Sequence, residues 1–186
     1  MPDEEVFDIV DHRDMVIGQA LRSEVHNLGL WHRAVHILVF NGRGELFLQK
    51  RSMSKDTFPG AWDSSAAGHL GAGEGYEDSA SRELQEELGL SRNKPLEYLF
   101  KLNACPETAE EFIHVYRVEN EGPFTLNPEE IEEGGWFTPE KITSWIADRS
   151  DDFPDAFKLI WKIYSERYIT TYLKIEDNDA ESNYVF

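Results

Sequence analysis

The chain has a single cysteine, Cys105, so no disulfide can form within it, and no Cys/His spacing suggests a zinc site. Basic residues are also scarce. Eighteen Lys and Arg stand against 36 Asp and Glu, a formal charge of -18 with a sequence pI near 4.6. Such a balance argues against non-specific nucleic-acid binding and against docking on an anionic membrane. No apolar run approaches the ~20 residues that cross a bilayer. The opening stretch, MPDEEVFDIVDHRD, lacks the basic and apolar regions of a signal peptide. Internal repeats and low-complexity tracts are missing too. Together these absences predict a cytoplasmic protein that recruits cations and must place its few basic residues carefully if its substrate is anionic.

What is present supports a folded domain. The composition is 40% hydrophobic and 12% aromatic, and 186 residues suit one domain with a proper core rather than two. The most demanding stretch is Gly68 to Leu90, GHLGAGEGYEDSASRELQEELGL. A helix from about Glu77 would place Glu83, Glu86 and Glu87 at i, i+3 and i+4 on one face. Ala80, Leu84 and Leu88 would then form an apolar stripe on another face, and Gly89 supplies the stop. Three neighbouring carboxylates repel one another, and hard divalent cations bound through carboxylates, water and substrate phosphates would relieve that. Arg82 can reach Glu86 at i+4 or position Glu83. An acidic cluster alone is usually a solvated face, so the surrounding pattern decides.

That pattern is Gly68, five residues, Glu74, seven residues, Arg82-Glu83-Leu84, one residue, Glu86-Glu87, one residue, Gly89-Leu90. It resembles the box of the Nudix hydrolase superfamily at every fixed position. The resemblance implies a loop-helix-loop that binds Mg²⁺ or Mn²⁺ and directs water at a diphosphate linked to some group X. By position, Glu83, Glu86 and Glu87 are the expected metal-binding and water-orienting carboxylates. Arg82 is the expected orienter of Glu83, Gly68 a backbone carbonyl ligand, and Glu74 a structural or outer partner.

The remaining sequence predicts a frame for this box. Residues 6–10 and 15–21 read as a leading hairpin, followed by a polar connection flanked by His26 and His32, which are expected to be surface or hydrogen-bonded histidines. The run 33–40 is expected to be a buried strand, turned at Asn41–Gly44 and returning over 45–51, with these two strands central. A loop punctuated by Pro59 and Gly60 leads to Gly68. Strands are expected around 95–105 and 111–118, with an acidic loop at 127–135. Thr138 and Pro139 open a helix carrying Ile142, Trp145 and Ile146. A final helix, 155–168, carries Phe157, Ile160, Trp161, Tyr164 and Tyr168 on one stripe. The expectation is a single domain over 1–168, with 1–29 as its leading part and 169–186 as a tail whose aromatic end, Tyr184–Phe186, hints at docking. Its class is α/β: a three-layer α/β/α sandwich around a mixed sheet, in agreement with the Nudix fold.

The stretch from Trp31 to Leu70 further resembles the branch containing isopentenyl-diphosphate isomerases and their hydrolase-like relatives. By position in that branch, Arg22, Arg51 and Lys55 would hold the substrate diphosphate. The isomerases place a catalytic cysteine where this chain has Ala67, which has no exchangeable proton to act as acid or base. Cys105 lies in another segment. His26, His32, His69 and Glu111 roughly match an isomerase metal site in which Ala109 replaces one carboxylate. The expectation is therefore metal-dependent hydrolysis of a diphosphate bond, in a nucleoside diphosphate linked to X or a related organic diphosphate, with Glu130 of the acidic loop approaching the metal. Isomerase-like activity and a non-catalytic ligand-binding module are the alternatives. Phe58, Trp62 and Trp161 are candidates to stack on X or cover it. The expected partner is a small-molecule diphosphate, and a homodimer is the implied assembly.

Overall fold

The elements follow in the order β1 (Val6–Val10), β2 (Val16–Leu21), α1 (Arg22–Leu28), β3 (His32–Phe40), β4 (Leu46–Arg51), β5 (Trp62–Asp63), β6 (Ala66–His69), α2 (Tyr76–Leu88), β7 (Glu97–Leu102), β8 (Glu111–Glu119), β9 (Ile131–Phe137), α3 (Pro139–Asp148) and α4 (Asp155–Tyr164). This computed structural model describes residues 4–169; the Tyr184–Phe186 end lies outside the described residues. Short 3-10 turns occupy Pro106–Thr108 and Ser150–Asp152, and a π turn, Ser165–Ile169, continues α4.

β3 is the axis of the sheet. From Ala34 to Phe40 every residue is buried, because both edges and both faces of the strand are covered. One edge pairs antiparallel with β6, from Ala34 opposite His69 to Ile37 opposite Ala66. The other pairs parallel with β8 along its whole length, and β8 pairs antiparallel with β7. β4 does return from the Asn41–Gly44 turn, closed by the Asn41 side chain, which accepts from the N–H groups of Arg43 and Glu45, each at 3.0 Å. It meets β3, however, only at Phe40 opposite Leu46. The expected central β3–β4 pairing is thus limited to its turn, since β6 and β8 already occupy the edges of β3. β4 leaves to form the middle of a ladder with β5 and β9.

Two further expectations change. Only residues 127–130 of the acidic stretch form a loop; Ile131 is buried and opens β9, with Glu132 and Glu133 on the solvent side. Gly134 is needed there, because a Cβ would lie 2.2 Å from Cζ of Phe47. The polar connection after the hairpin is helical: α1 buries Val25 and ends on Gly29 in the left-handed conformation, φ 59°.

Alternation along β3 divides the core in two. Val35, Ile37 and Val39 pack with Ala80, Leu84 and Leu88 of α2, while Ala34, Leu38 and Phe40 pack with Ile142 of α3 and Phe157, Ile160 and Trp161 of α4. Helices therefore cover both faces of a mixed sheet, giving the expected α/β sandwich. Thr138 caps α3 by accepting from Lys141 N–H at 3.3 Å. The β1–β2 hairpin forms a separate two-stranded sheet laid over the loop before α2. There Ala72 N–H donates to the Val6 carbonyl at 2.8 Å, and Gly73 N–H donates to the Asp8 carboxylate at 2.9 Å. Among the described residues no helix is long and apolar enough to cross a membrane.

Candidate functional site

β6 runs beside α2, so the Gly68 backbone faces the helix residue Glu83. A Cβ at residue 68 would lie 2.0 Å from Glu83 Oε1, so only glycine leaves room for this carboxylate. Arg82 fixes the group. Its Nη1 donates to Glu83 at 2.7 Å and to Glu86 at 3.0 Å, while Nε and Nη2 grip both oxygens of Glu74 at 2.9 Å. Nη2 also reaches the His69 carbonyl at 3.0 Å, tying helix to strand. Glu74 has a second donor in Gly71 N–H at 3.0 Å. The expected structural role of Glu74 thus has a concrete form: it supports Arg82 bidentately. Glu87 is buried and accepts from Gln49 Nε2 at 2.9 Å and from Ala67 N–H at 3.2 Å. Glu86 remains half exposed at the helix surface.

Burial is the dominant electrostatic fact here. It pushes the Glu83 carboxyl up to about 7 despite the opposing Arg82, and it holds Glu87 well above the carboxylate range, with Glu83 and Glu130 adding repulsion. Glu74 is held below that range: burial opposes ionisation, but Arg82 and Gly71 N–H outweigh it. One arginine cannot neutralise Glu83, Glu86, Glu87 and Glu74 together. The donors gathered are carboxylate oxygens beside the backbone of Gly68, the hard, anionic set suited to Mg²⁺ or Mn²⁺. The residues fit such an ion.

A cavity of about 410 Å³ opens in front of this cluster, and Arg22, Arg51, Lys55 and Glu130 line it together with Gly68, Arg82 and the three glutamates. The structure therefore gathers nearly all the residues expected at the site. Arg22 pairs with Asp56 at 2.9 Å, and Lys55 forms an ion pair with Glu130 across the cavity. Trp62 is the exception among these. It packs edge-on against Phe137 and Trp145, ring centroids 5.4 Å away, and lines neither this cavity nor the one that adjoins it. Trp161 is likewise a core residue, its Nε1 donating to Thr143 at 3.0 Å. Both indoles are consumed by the packing of α3 and α4 on the sheet. Of the three aromatic candidates, Phe58 lines the adjoining cavity, and it does so with a left-handed backbone, φ 49°, that a bulky side chain rarely adopts.

That second cavity, about 320 Å³, adjoins the first through Arg51, Thr57, Ala67, Gly68 and His69. Its floor holds an imidazole cluster. The ring nitrogens of His26, His32 and His69 lie within 4.8 Å of one another. Glu111 Oε1 lies 3.0 Å from His69 Nε2 and 3.5 Å from His32 Nε2, and the latter nitrogen is buried without a hydrogen-bond partner. Burial, followed by the neighbouring His69, lowers His26 to about 4, leaving its ring neutral. Glu111 lies far below the carboxylate range, burial being overcome by His69 and His32. The two histidines do not lie in a loop: His26 stands on α1 and is not buried, and His32 opens β3 buried, its Nδ1 2.9 Å from the Leu30 carbonyl, so the expected hydrogen-bonded histidine is found at His32.

Residues the sequence did not single out also shape the site. Gln49 and His36 were detectable as polar residues within apolar strands; both are buried, Gln49 on Glu87 and His36 on Ser64 Oγ at 2.8 Å. Asp63, in a loop-like stretch rich in small residues, gave no such signal.

Residues 30–157 match the NUDIX domain. The chain belongs to the Nudix family. An uncharacterized Nudix hydrolase of Yersinia pestis is 37% identical over 180 residues, covering 95% of this chain and 94% of that protein. The uncharacterized Nudix hydrolase YfcD of Escherichia coli K12 is 37% identical over 160 residues, covering 84% of each. The crystal structure of DR0079 from Deinococcus radiodurans superposes with a TM-score of 0.71 at 34% identity, covering 78% of this chain and 90% of that one. The protein is accordingly a Nudix hydrolase acting on a small molecule. Nudix hydrolases generally use divalent metal ions and hydrolyse nucleoside diphosphate derivatives.

Proposed function

We propose that this Nudix hydrolase cleaves the diphosphate bond of a nucleoside diphosphate linked to X, or of a related organic diphosphate, with Mg²⁺ or Mn²⁺ held by Glu83, Glu86, Glu87 and the Gly68 carbonyl and approached by Glu130. The observation that carries this reading is the gathering of Glu83, Glu86, Glu87 and Glu130 with Arg51, Lys55 and Arg22 around one cavity. A bound divalent ion would supply Lewis-acid polarisation of the phosphoryl group and acidification of water. The chain itself supplies position. Arg82 and Gln49 lock Glu83 and Glu87 in place, Glu86 faces the cavity with one oxygen on Arg82 and the other able to orient a water, and the basic wall opposite takes phosphate oxygens. X extends toward the second cavity, where Phe58 covers it.

Ala67 supports hydrolysis over isomerisation. It stands at the seam between the cavities with its backbone N–H on Glu87, and its methyl side chain carries no exchangeable proton. The intact glutamate set likewise favours an enzyme over a ligand-binding module. A second reading adds a cation at His26, His32, His69 and Glu111, favoured by the unpartnered nitrogen of His32. The same proposal includes a cytoplasmic protein and a homodimer. The dimer is supported by β2, an uncharged edge strand with Val16 and Ile17 exposed.

The test is a turnover screen with and without Mg²⁺ or Mn²⁺ against dinucleotides, nucleotide sugars, nucleoside triphosphates and prenyl diphosphates. Metal-dependent release of phosphate or monophosphate that falls at least about 100-fold in Glu86→Gln, with melting unchanged, is the expected result. Turnover that ignores metal and the mutation would overturn it.

A further inference from the structure

Arg51 differs from the other basic residues of the site. Arg22 and Lys55 reach exposed or loop-borne carboxylates, whereas Arg51 projects from β4 and is the one Arg or Lys lining both cavities. Its guanidinium is held from two sides. Nε and Nη2 donate to the Thr57 carbonyl at 3.2 and 3.0 Å, and Nη1 lies 3.7 Å from Oδ2 of Asp63. Asp63 is 4% exposed and itself fixed, with Oδ1 accepting from Ser64 N–H at 2.7 Å and His36 Nδ1 3.7 Å away. The backbone ladder sets this arrangement. Asp63 of β5 lies opposite Gln49 of β4, two residues before Arg51, so Gln49 and Arg51 share one face of the strand. A buried carboxylate needs a cation or several donors to be tolerated, and here the cation is the residue standing at the seam.

We propose that Asp63 is a positioning residue: together with the Thr57 carbonyl it holds the Arg51 guanidinium in one plane at the junction of the two cavities, so that its remaining N–H groups meet the phosphate nearest to X. This rests on the reading above that Arg51 contacts the diphosphate. A planar fork recognises phosphate oxygens only when its plane is fixed, and lysine cannot reproduce that geometry even though it keeps the charge. Asp63 lines the second cavity, on the side of X, and acts on the diphosphate through Arg51.

Binding of the non-hydrolysable methylenediphosphonate to the full chain in Mg²⁺, measured by calorimetry, tests this alongside KM and kcat for the best substrate of the screen. Arg51→Gln should weaken binding by about 30-fold or more. Asp63→Asn and Arg51→Lys should each weaken it about tenfold and raise KM while leaving kcat within about twofold. The double variant Asp63→Asn/Arg51→Gln should bind no more weakly than Arg51→Gln alone, because the two residues act as one unit. If Arg51→Gln binds like the parent, the reading that Arg51 contacts the diphosphate fails. If Arg51→Gln weakens binding while Asp63→Asn and Arg51→Lys do not, that reading stands and the positioning role is overturned. Effects that multiply in the double variant overturn it as well. Should Asp63→Asn fail to fold, Asp63→Glu decides, since it keeps the charge and displaces the carboxylate: a raised KM with kcat within about twofold is expected, and parent-like binding overturns the positioning role.

Discussion

A methyl group at residue 68 is the smallest change this site would notice. The added Cβ would lie 2.0 Å from Glu83 Oε1, against a carboxylate already held by Arg82. Gly68→Ala should therefore push Glu83 out of register and lower kcat by about 100-fold, with a small change in melting temperature, as activity assays and thermal melts would show. Gln49→Leu is a milder version of the same experiment. It removes one of the two donors to the buried Glu87, leaving Ala67 N–H, and should lower kcat about tenfold while Mg²⁺ binding weakens in calorimetry. The spacing of Arg82, Glu83, Glu86 and Glu87 was legible because a helix converts sequence distance directly into direction. Asp63 was not, since its role comes from a two-residue strand whose partner is chosen by tertiary packing.

At the level of elements, the leading hairpin braces the loop before α2. Its turn carries Asp14, a residue with φ 63° whose carboxylate accepts from Arg33 Nε at 2.6 Å, Tyr76 Oη at 2.8 Å and Lys101 Nζ at 2.5 Å. One side chain thus ties the hairpin to β3, to the start of α2 and to β7. Burial opposes its ionisation, but Lys101, Arg33 and Tyr76 outweigh it and hold Asp14 below its ordinary value of 3.8. A depressed folded pKa gives stability that is fully present above pH 3.8 and lost as pH falls through the folded value. Asp14→Asn should accordingly lower unfolding free energy by about 2 kcal/mol or more at pH 7. In urea titrations the gap between variant and parent should shrink below pH 3.8. The hairpin itself was readable from two short strands around a polar turn, and the helix stripes of α2, α3 and α4 from their apolar spacing. α1 and β9 were hidden for different reasons. Seven polar-rich residues carry too little periodicity to announce a helix, and β9 is a strand because β4 offers it an edge, its acidic side chains standing on the solvent face.

For the molecule as a whole, a formal charge of -18 means that the folded state works against its own repulsion. In the metal-free protein, added NaCl should raise the melting temperature by screening, and millimolar Mg²⁺ should raise it further by binding the native state. The Mg²⁺ increment, but not the NaCl increment, should disappear in Glu86→Gln. The order in which the sheet can assemble follows from its central pair. β3 and β8 run parallel, His32 opposite Glu111 through Phe40 opposite Glu119, although β4, β5, β6, α2 and β7 all lie between them in the chain. Their loop must be closed before the pairing is rewarded, which places this domain among slow, high-contact-order folders. On a ribosome the glutamates of α2 emerge well before β8, so a chain stalled short of Glu111 carries Glu83, Glu86 and Glu87 while leaving one apolar edge of β3 open to pair with whatever strand it meets.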